Sequence, residues 1–161
     1  MMAYPKYKKV LFCTDFSENC DLAFGYAFGI ADRDGGILYI MHVMPSPDVY
    51  PQYVKGYLGS EEWEKIEANN RKTIEKNFEE KYLNQIKDKS HVKVVIKSGR
   101  EDEEILEFAD KEKVDIIVVG TQGRTGVLHA FLGSVAEKIV RRSIVPVYVI
   151  PCKKRKKYDK R

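Results

Sequence analysis

The sequence predicts a single α/β domain, built on a doubly wound sheet of five parallel strands with helices on both faces. Short apolar runs alternate with amphipathic segments in the order βαβαβαβαβ. This order is typical of parallel sheets, because each crossover helix covers part of one face. Right-handed crossovers then place helices on both sides of the sheet. The length of 161 residues is that of one ordinary domain.

The five predicted strands are short apolar runs bounded by polar or turn-forming residues. Runs of this kind indicate strands that are buried on both faces of a sheet. The predicted strands cover residues 10–14, 37–43, 92–96, 114–119 and 145–150.

The four predicted helices have apolar residues at intervals of three and four, so one face of each would pack on the sheet. They cover residues 22–31, 60–89, 101–113 and 134–142. Ser60, followed by Glu61 and Glu62, predicts the N-cap of the second helix. The proline-containing segment 44–59 predicts an irregular loop before it.

Composition excludes several classes of protein. No apolar run approaches the roughly 18 residues of a membrane-spanning helix, and the first nine residues lack the apolar region of a signal peptide. We therefore expect a cytoplasmic protein without a membrane span. Three cysteines without a CxxC spacing argue against a disulfide framework or a structural zinc site.

Basic residues are concentrated at the C-terminus. Residues 153–161 contain seven Lys and Arg and one Asp, so the net charge of +4 for the whole chain leaves −2 for residues 1–152. We expect a folded domain in residues 1–152 and a basic, disordered tail in residues 153–161, which has few apolar residues to bury. Such a tail would either increase solubility or contact nucleic acid or another anion.

A glycine-containing segment leads from the fourth strand into the last helix. It reads Gly-Thr-Gln-Gly-Arg-Thr-Gly from Gly120 and ends in Leu-Gly-Ser-Val at residues 132–135. Ligands bind at the carboxyl ends of strands in open α/β sheets. Glycine allows the backbone to approach a ligand closely, and the first N–H groups of a helix favour phosphate. The segment therefore predicts an anion site, with phosphate as the expected anion.

Two common nucleotide sites are excluded. The P-loop motif GxxxxGK[ST] is absent. An NAD site requires a glycine-rich turn after the first strand and an acidic residue at the end of the second. Residues 13–17 contain no glycine, and residues 42–44 are His, Val and Met.

The glycine spacing resembles that of the ATP-binding universal stress proteins. The arrangement Gly120-x2-Gly123-x9-Gly133-Ser134 matches their pattern G-x2-G-x9-G-[S/T]. Further matching pieces are Thr-Asp-Phe-Ser at 14–17, Met-His-Val at 41–43, Asp-Ile-Ile-Val-Val-Gly at 115–120 and Val-Pro-Val at 145–147. The similarity covers residues 6–151, and it implies a Rossmann-like fold with the strand order 3-2-1-4-5.

The resemblance also implies an adenine nucleotide where the first and fourth strands end. Cys13 and the backbone near Val43 would hold adenine, and Asp15 would lie beside the ribose. The residues implied at the phosphates are Gly120, Thr121, Gln122, Gly123, Arg124, Thr125, Gly133, Ser134 and Val135. The implied ligand is ATP, with ADP and AMP as alternatives, and Mg²⁺ or Mn²⁺ would be bound through the phosphates.

A homodimer is expected at the last strand, which begins at Val145 and ends at Ile150. This strand contains no charged residue, and an uncharged strand at a sheet edge is open to pairing with a second copy. Similar proteins dimerise there, and a symmetric pair is the expected form.

Several alternatives remain open from the residues alone. Ser134 and Glu137 have the spacing of a capping box, Asp15 is a residue type common at N-caps, and Arg124 and Thr125 would equally suit an exposed loop. Slow ATP hydrolysis is an alternative to a regulatory switch. The sequence shows no residue to orient water and no arginine finger, so no catalytic residue and no protein ligand for a metal is assigned.

Overall fold

The computed structural model describes residues 4–46, 59–121 and 132–151. Its elements in chain order are β1 (Lys9–Cys13), α1 (Glu18–Asp34), β2 (Ile37–Met44), α2 (Ser60–Lys81), β3 (Val92–Ser98), α3 (Glu101–Lys111), β4 (Ile116–Gly120), α4 (Ser134–Arg142) and β5 (Val147–Ile150). The tail predicted at residues 153–161 lies outside the described residues. No helix in the described ranges is both long and apolar enough to cross a membrane.

The five strands form one sheet in the order β3-β2-β1-β4-β5, and every neighbouring pair is parallel. This confirms the predicted fold class and strand order. At the centre of the sheet, Phe12 of β1 is paired with Ile40 of β2 on one side and with Val118 of β4 on the other.

Each face of the sheet is covered by two helices. Val10 and Phe12 of β1 face a core cluster built with α1 and the end of α2, whereas Leu11 faces a second cluster built with α3 and α4. None of these three side chains is exposed. The alternation follows from the period of two in a strand, and burial on both faces explains why the strand is apolar throughout.

Helix α2 ends earlier than the sequence predicts. The prediction of a helix to residue 89 is wrong: α2 ends at Lys81 and a 3₁₀ turn at Leu83–Gln85 follows. Tyr82 leaves the helix with φ −123° and ψ −54°, and its fully buried ring packs 5.5 Å from that of Phe12 and 4.7 Å from that of Phe24. Burying a large apolar side chain contributes about 1.5–3 kcal/mol to the free energy of unfolding. This is more than the differences of up to about 0.7 kcal/mol in helix propensity among ordinary residues, so packing of Tyr82 decides where the helix ends.

Two predicted helix caps are also corrected. The N-caps of α2 and α4 are Gly59 and Gly133, and the serines that follow them are the first helical residues. In α4 no side chain makes a capping hydrogen bond. Instead, the carbonyl of Gly133 accepts the N–H of Glu137 at 2.9 Å, so the predicted capping box of Ser134 and Glu137 does not form.

Two glycines of the α1 region provide a matched test of the fold. A Cβ atom at Gly36 would lie 2.6 Å from the carbonyl oxygen of Tyr7 and 2.8 Å from that of Lys8, whereas a Cβ atom at Gly25 would meet nothing within 4 Å. We predict that Gly36→Ala lowers the free energy of unfolding by about 1–3 kcal/mol because the backbone must shift. Gly25→Ala should raise it by about 0.5–1 kcal/mol because alanine favours the helix. Urea denaturation measures both, and a Gly36→Ala variant as stable as the parent would contradict this prediction.

Candidate functional site

A cavity of about 350 Å³ lies at the carboxyl ends of β1 and β4. In the sheet, β1 has β2 as its neighbour on one side and β4 on the other, so the strand order reverses between β1 and β4. Open α/β sheets bind ligands at the carboxyl ends of the strands at such a switch point. The first residues of α3 and α4 also line the cavity. The volume falls within the range of about 300–1,000 Å³ that is usual for small-molecule sites.

Every predicted site residue that the structure describes lines this cavity. These residues are Cys13, Asp15, Val43, Gly120, Thr121, Gly133, Ser134 and Val135. The other predicted residues, Gln122, Gly123, Arg124 and Thr125, lie outside the described residues. These eight predicted residues come from positions up to 122 apart in the sequence, from Cys13 to Val135.

Further lining residues were not assigned to the site from the sequence. They are Thr14, Cys20, Met41, His42, Pro45, Glu101, Ile105, Val119, Ala136 and Ile139. The element order alone could have indicated Glu101, because the helix after any strand of a parallel sheet starts at the same edge as the other ligand-binding loops. Ile105 and Ile139 depend on how α3 and α4 pack together, which a single sequence does not reveal.

The described part of the cavity wall carries two carboxylates and no Lys or Arg. The carboxylates belong to Asp15 at the end of β1 and to Glu101 at the start of α3. No group of three or more His, Cys, Asp or Glu side chains in the described ranges is arranged to hold a metal ion. Backbone N–H groups at the starts of α3 and α4 are a source of positive potential in this part of the wall.

The start of α4 is fixed to the end of β4. The N–H of Gly133 donates to the carbonyl of Thr121 at 2.7 Å, and the N–H of Thr121 donates to the carbonyl of Ile150 at 2.9 Å. Gly133 has an extended backbone, with φ −65° and ψ 156°. This is a conformation that any residue can adopt, so the helix start does not require glycine for its backbone angles. The first N–H groups of α4, at Ser134 and Val135, have no acceptor within the helix, and both residues line the cavity.

The turn after β1 is organised by Thr14, which is 7% exposed. Its N–H donates to the carbonyl of Met41 at 2.9 Å. Its carbonyl accepts from Nδ1 of His42 at 2.7 Å, which places the proton on that nitrogen because a carbonyl can only accept. Its hydroxyl oxygen accepts the N–H of Phe16 at 2.9 Å and bonds to the hydroxyl of Tyr82 at 2.6 Å. Four hydrogen bonds thus hold this residue of the cavity wall in place.

Asp15 is held beside the cavity by two hydrogen bonds to the same oxygen. Its Oδ1 accepts the N–H of Ser17 at 3.0 Å and the thiol of Cys20 at 3.1 Å. The N-cap of α1 is Ser17, so Asp15 is not the N-cap itself. Asp15 therefore belongs to the turn between β1 and α1, and it lines the cavity from there.

Both described cysteines stay protonated at neutral pH. Burial raises the pKa of Cys13 well above its ordinary range. Burial, with a smaller contribution from the charge of Asp15, raises the pKa of Cys20 to about 11. A protonated thiol can donate, which agrees with the hydrogen bond from Cys20 to the Asp15 carboxylate.

Comparisons with known proteins identify one family. The model of the universal stress protein family matches residues 6–151. The chain is 32% identical to universal stress protein MJ0577 of Methanocaldococcus jannaschii over 154 residues, which cover 89% of this chain and 94% of that relative. A solved structure of hypothetical protein MJ0577 superposes with a TM-score of 0.73 at 29% identity, covering 93% of this chain and 99% of that one.

Two solved structures with nucleotides share the fold at lower identity. A universal stress protein in complex with cAMP has a TM-score of 0.59 at 21% identity and covers 92% of this chain and 100% of its own. The universal stress protein of Archaeoglobus fulgidus in complex with dAMP has a TM-score of 0.57 at 19% identity, covering 91% of this chain and 99% of its own. At these identities the likeness concerns the fold.

The protonated state of Cys20 can be tested by its rate of alkylation. In a variant with Cys13→Ala and Cys152→Ser, Cys20 is the only thiol, and iodoacetamide reacts with the thiolate form. We predict that the folded protein is alkylated at pH 7.5 about a hundredfold more slowly than the same chain unfolded in urea. The reason is that raising the pKa of a thiol by two units lowers its thiolate fraction about a hundredfold. The rate should rise steadily between pH 7 and 9.5. A plateau below pH 9 would mean that the fold stabilises the thiolate, contrary to this assignment.

Proposed function

The chain belongs to the universal stress protein family, and we propose that its cavity binds ATP together with Mg²⁺ or Mn²⁺, so that nucleotide occupancy acts as a regulatory switch in a stress response. The observation that supports this proposal is that the eight described residues among those predicted for adenine, ribose and phosphate line one cavity at the switch point of the sheet. ADP and AMP are the alternative ligands for the same site.

The side chains of the cavity suit the parts of a nucleoside. Apolar groups of Met41, Val43 and Val119 line it together with the protonated thiol of Cys13, and such a surface accommodates a flat base. Asp15 offers a carboxylate, which can only accept hydrogen bonds when it is ionised. Ribose hydroxyls are donors, so this carboxylate is matched to the sugar.

The start of α4 suits the phosphates. The N–H groups of Ser134 and Val135 and the positive end of the helix dipole favour an anion. They offset only part of the charge of a triphosphate, and the described wall has no Lys or Arg to offset the rest. Mg²⁺ usually binds through substrate phosphates and keeps several of its waters, so the proposed metal does not require a cluster of protein ligands.

The known complexes guide the choice of ligand. Universal stress proteins of this fold have been solved with cAMP and with dAMP. These ligands belong to those proteins, but both contain adenine, so adenine nucleotides are the first compounds to test on this chain.

Two substitutions at Ser134 test the phosphate contact. Proline is well tolerated at the first position of a helix, where it removes the N–H without breaking a helical bond, and the extended backbone of Gly133 suits a residue before proline. We predict that Ser134→Pro weakens ATP binding by about tenfold or more, since a hydrogen bond to a charged group is worth about 1.5–3 kcal/mol. Ser134→Ala keeps the N–H and should have a smaller effect. Calorimetry in Mg²⁺ buffer measures both variants.

Adenosine is the control ligand for this experiment. It has no phosphate, so its affinity should be the same for the parent, Ser134→Ala and Ser134→Pro. A parent protein that gives no heat with ATP, ADP or AMP would refute the proposed function. If Ser134→Pro lowers the affinities for ATP and for adenosine equally, the start of α4 does not contact the phosphates.

We also propose that the chain forms a homodimer through the open edge of β5. The sheet has two edges, and they differ in charge. Strand β3 at one edge carries Lys93 and Lys97, and such charges oppose pairing with another strand. Strand β5 at the other edge reads Val-Tyr-Val-Ile, with no charge, and Tyr148 is 44% exposed. The uncharged edge is therefore the one suited to a symmetric contact.

A matched pair of lysine substitutions tests the dimer. Tyr148 on β5 and Val94 on β3 are exposed by 44% and 40%, and they lie on the same face of the sheet at opposite edges. We predict that Tyr148→Lys weakens dimerisation by at least tenfold, because two-fold symmetry brings like charges together. Val94→Lys should leave the dimer intact. Sedimentation or light scattering decides, and a monomeric parent at micromolar concentration would overturn the proposal.

A further inference from the structure

Tyr82 lies outside the cavity, but its hydroxyl bonds to Thr14, which lines it. We propose that Tyr82 is a positioning residue that acts through Thr14 to set the place of Asp15 against the ribose. This inference rests on the proposed function, and it adds to that function a residue from the end of α2.

The hydroxyl of Tyr82 is placed with little freedom. The residue is not exposed at all, and its ring contacts those of Phe12, Phe24 and Phe16, with centroids 5.5, 4.7 and 6.2 Å away. Burial raises the pKa of Tyr82 well above its ordinary range, so the hydroxyl keeps its proton. Because the ring is fixed on several sides, the oxygen 2.6 Å from the Thr14 hydroxyl is a rigid anchor.

The anchor acts on both residues that flank Asp15 in the chain. Thr14 precedes it and bonds to Tyr82 directly, and Phe16 follows it and donates its N–H to the same Thr14 oxygen at 2.9 Å. The hydroxyl of Thr14 therefore joins the beginning and the end of the turn. The direction in which Asp15 leaves the backbone depends on that closure.

Phe16 shows that the turn needs such support. Its φ of 62° lies in the left-handed region, which L residues with large side chains rarely adopt and which persists only where the surroundings impose it. Its ring is held by Phe78 at 4.9 Å and by His42 at 4.7 Å. Without the hydroxyl of Tyr82, one of the contacts that oppose relaxation of this turn is lost.

The test compares ATP with 2′,3′-dideoxy-ATP, which lacks the hydroxyls that Asp15 would bind. In the parent we expect ATP to bind at least tenfold more tightly than the dideoxy analogue, as for a hydrogen bond to a charged group. Tyr82→Phe keeps the ring and removes only the hydroxyl. It should reduce this ratio by about fivefold or more through weaker ATP binding, while affinity for the dideoxy analogue changes by less than about twofold.

Matched variants separate positioning from general stability. Tyr39→Phe removes another partly buried tyrosine hydroxyl, which bonds to Glu112 at 3.3 Å in the opposite core cluster, and it should leave the ratio unchanged. Thr14→Ser keeps the hydroxyl and should preserve the ratio, whereas Thr14→Val should reduce it as Tyr82→Phe does. Asp15→Asn should remove most of the preference for ATP over the dideoxy analogue, and adding Tyr82→Phe to this variant should have no further effect on that preference.

The outcomes distinguish this inference from the proposed function. If the parent binds ATP but Tyr82→Phe and Thr14→Val leave the ratio as it is, the function stands and the inference is wrong. If Tyr82→Phe weakens both nucleotides equally, Tyr82 has only a structural role and the inference is again wrong. If the parent binds no adenine nucleotide, the proposed function itself fails. A reduced ratio in both variants, with Tyr39→Phe unchanged, supports the inference.

Discussion

The burial of β1 on both faces and along both edges is the constraint on which the rest of the structure depends. Val10, Leu11 and Phe12 have no exposed surface, and the strand pairs with β2 on one side and β4 on the other. The chain leaves β1 over one face and returns to β4 over the other, so the helices diverge and a crevice remains above the end of β1. The cavity is therefore a consequence of connectivity, and its position does not depend on any single side chain.

The turn after β1 converts this packing into a chemically specific site. A polar residue at the end of a buried strand must find hydrogen-bond partners, and Thr14 finds them in Met41, His42, Phe16 and Tyr82. These bonds come from β2, from the turn itself and from the end of α2. Because they fix the backbone around Asp15, the carboxylate is presented by the core rather than by a loop that moves independently of it.

Much of the fold and part of the site follow from sequence, because they rest on local patterns. Apolar runs identified the strands, and glycine spacing indicated Gly120, Gly133 and the start of α4. The end of α2 and the hydrogen bond from Tyr82 to Thr14 were missed because a helical pattern continues through residue 82, and only the aromatic core makes the chain turn there. The bond from Cys20 to Asp15 was missed because an isolated cysteine carries no sequence signal for its partner.

Electrostatics bear directly on the proposed binding of ATP in this cavity. The described wall presents the carboxylates of Asp15 and Glu101 and no Lys or Arg, whereas the proposed ligand carries up to four negative charges at neutral pH. A helix start contributes roughly half a positive charge, so in the proposed complex the start of α4 would offset only part of the phosphate charge. Arg124, which the resemblance places at the phosphates, lies outside the described residues. A divalent cation bound to the phosphates would supply a further share of positive charge and reduce repulsion from the carboxylates. The proposed function thus assigns the base and sugar to the described wall and gives the cation a direct part in phosphate binding.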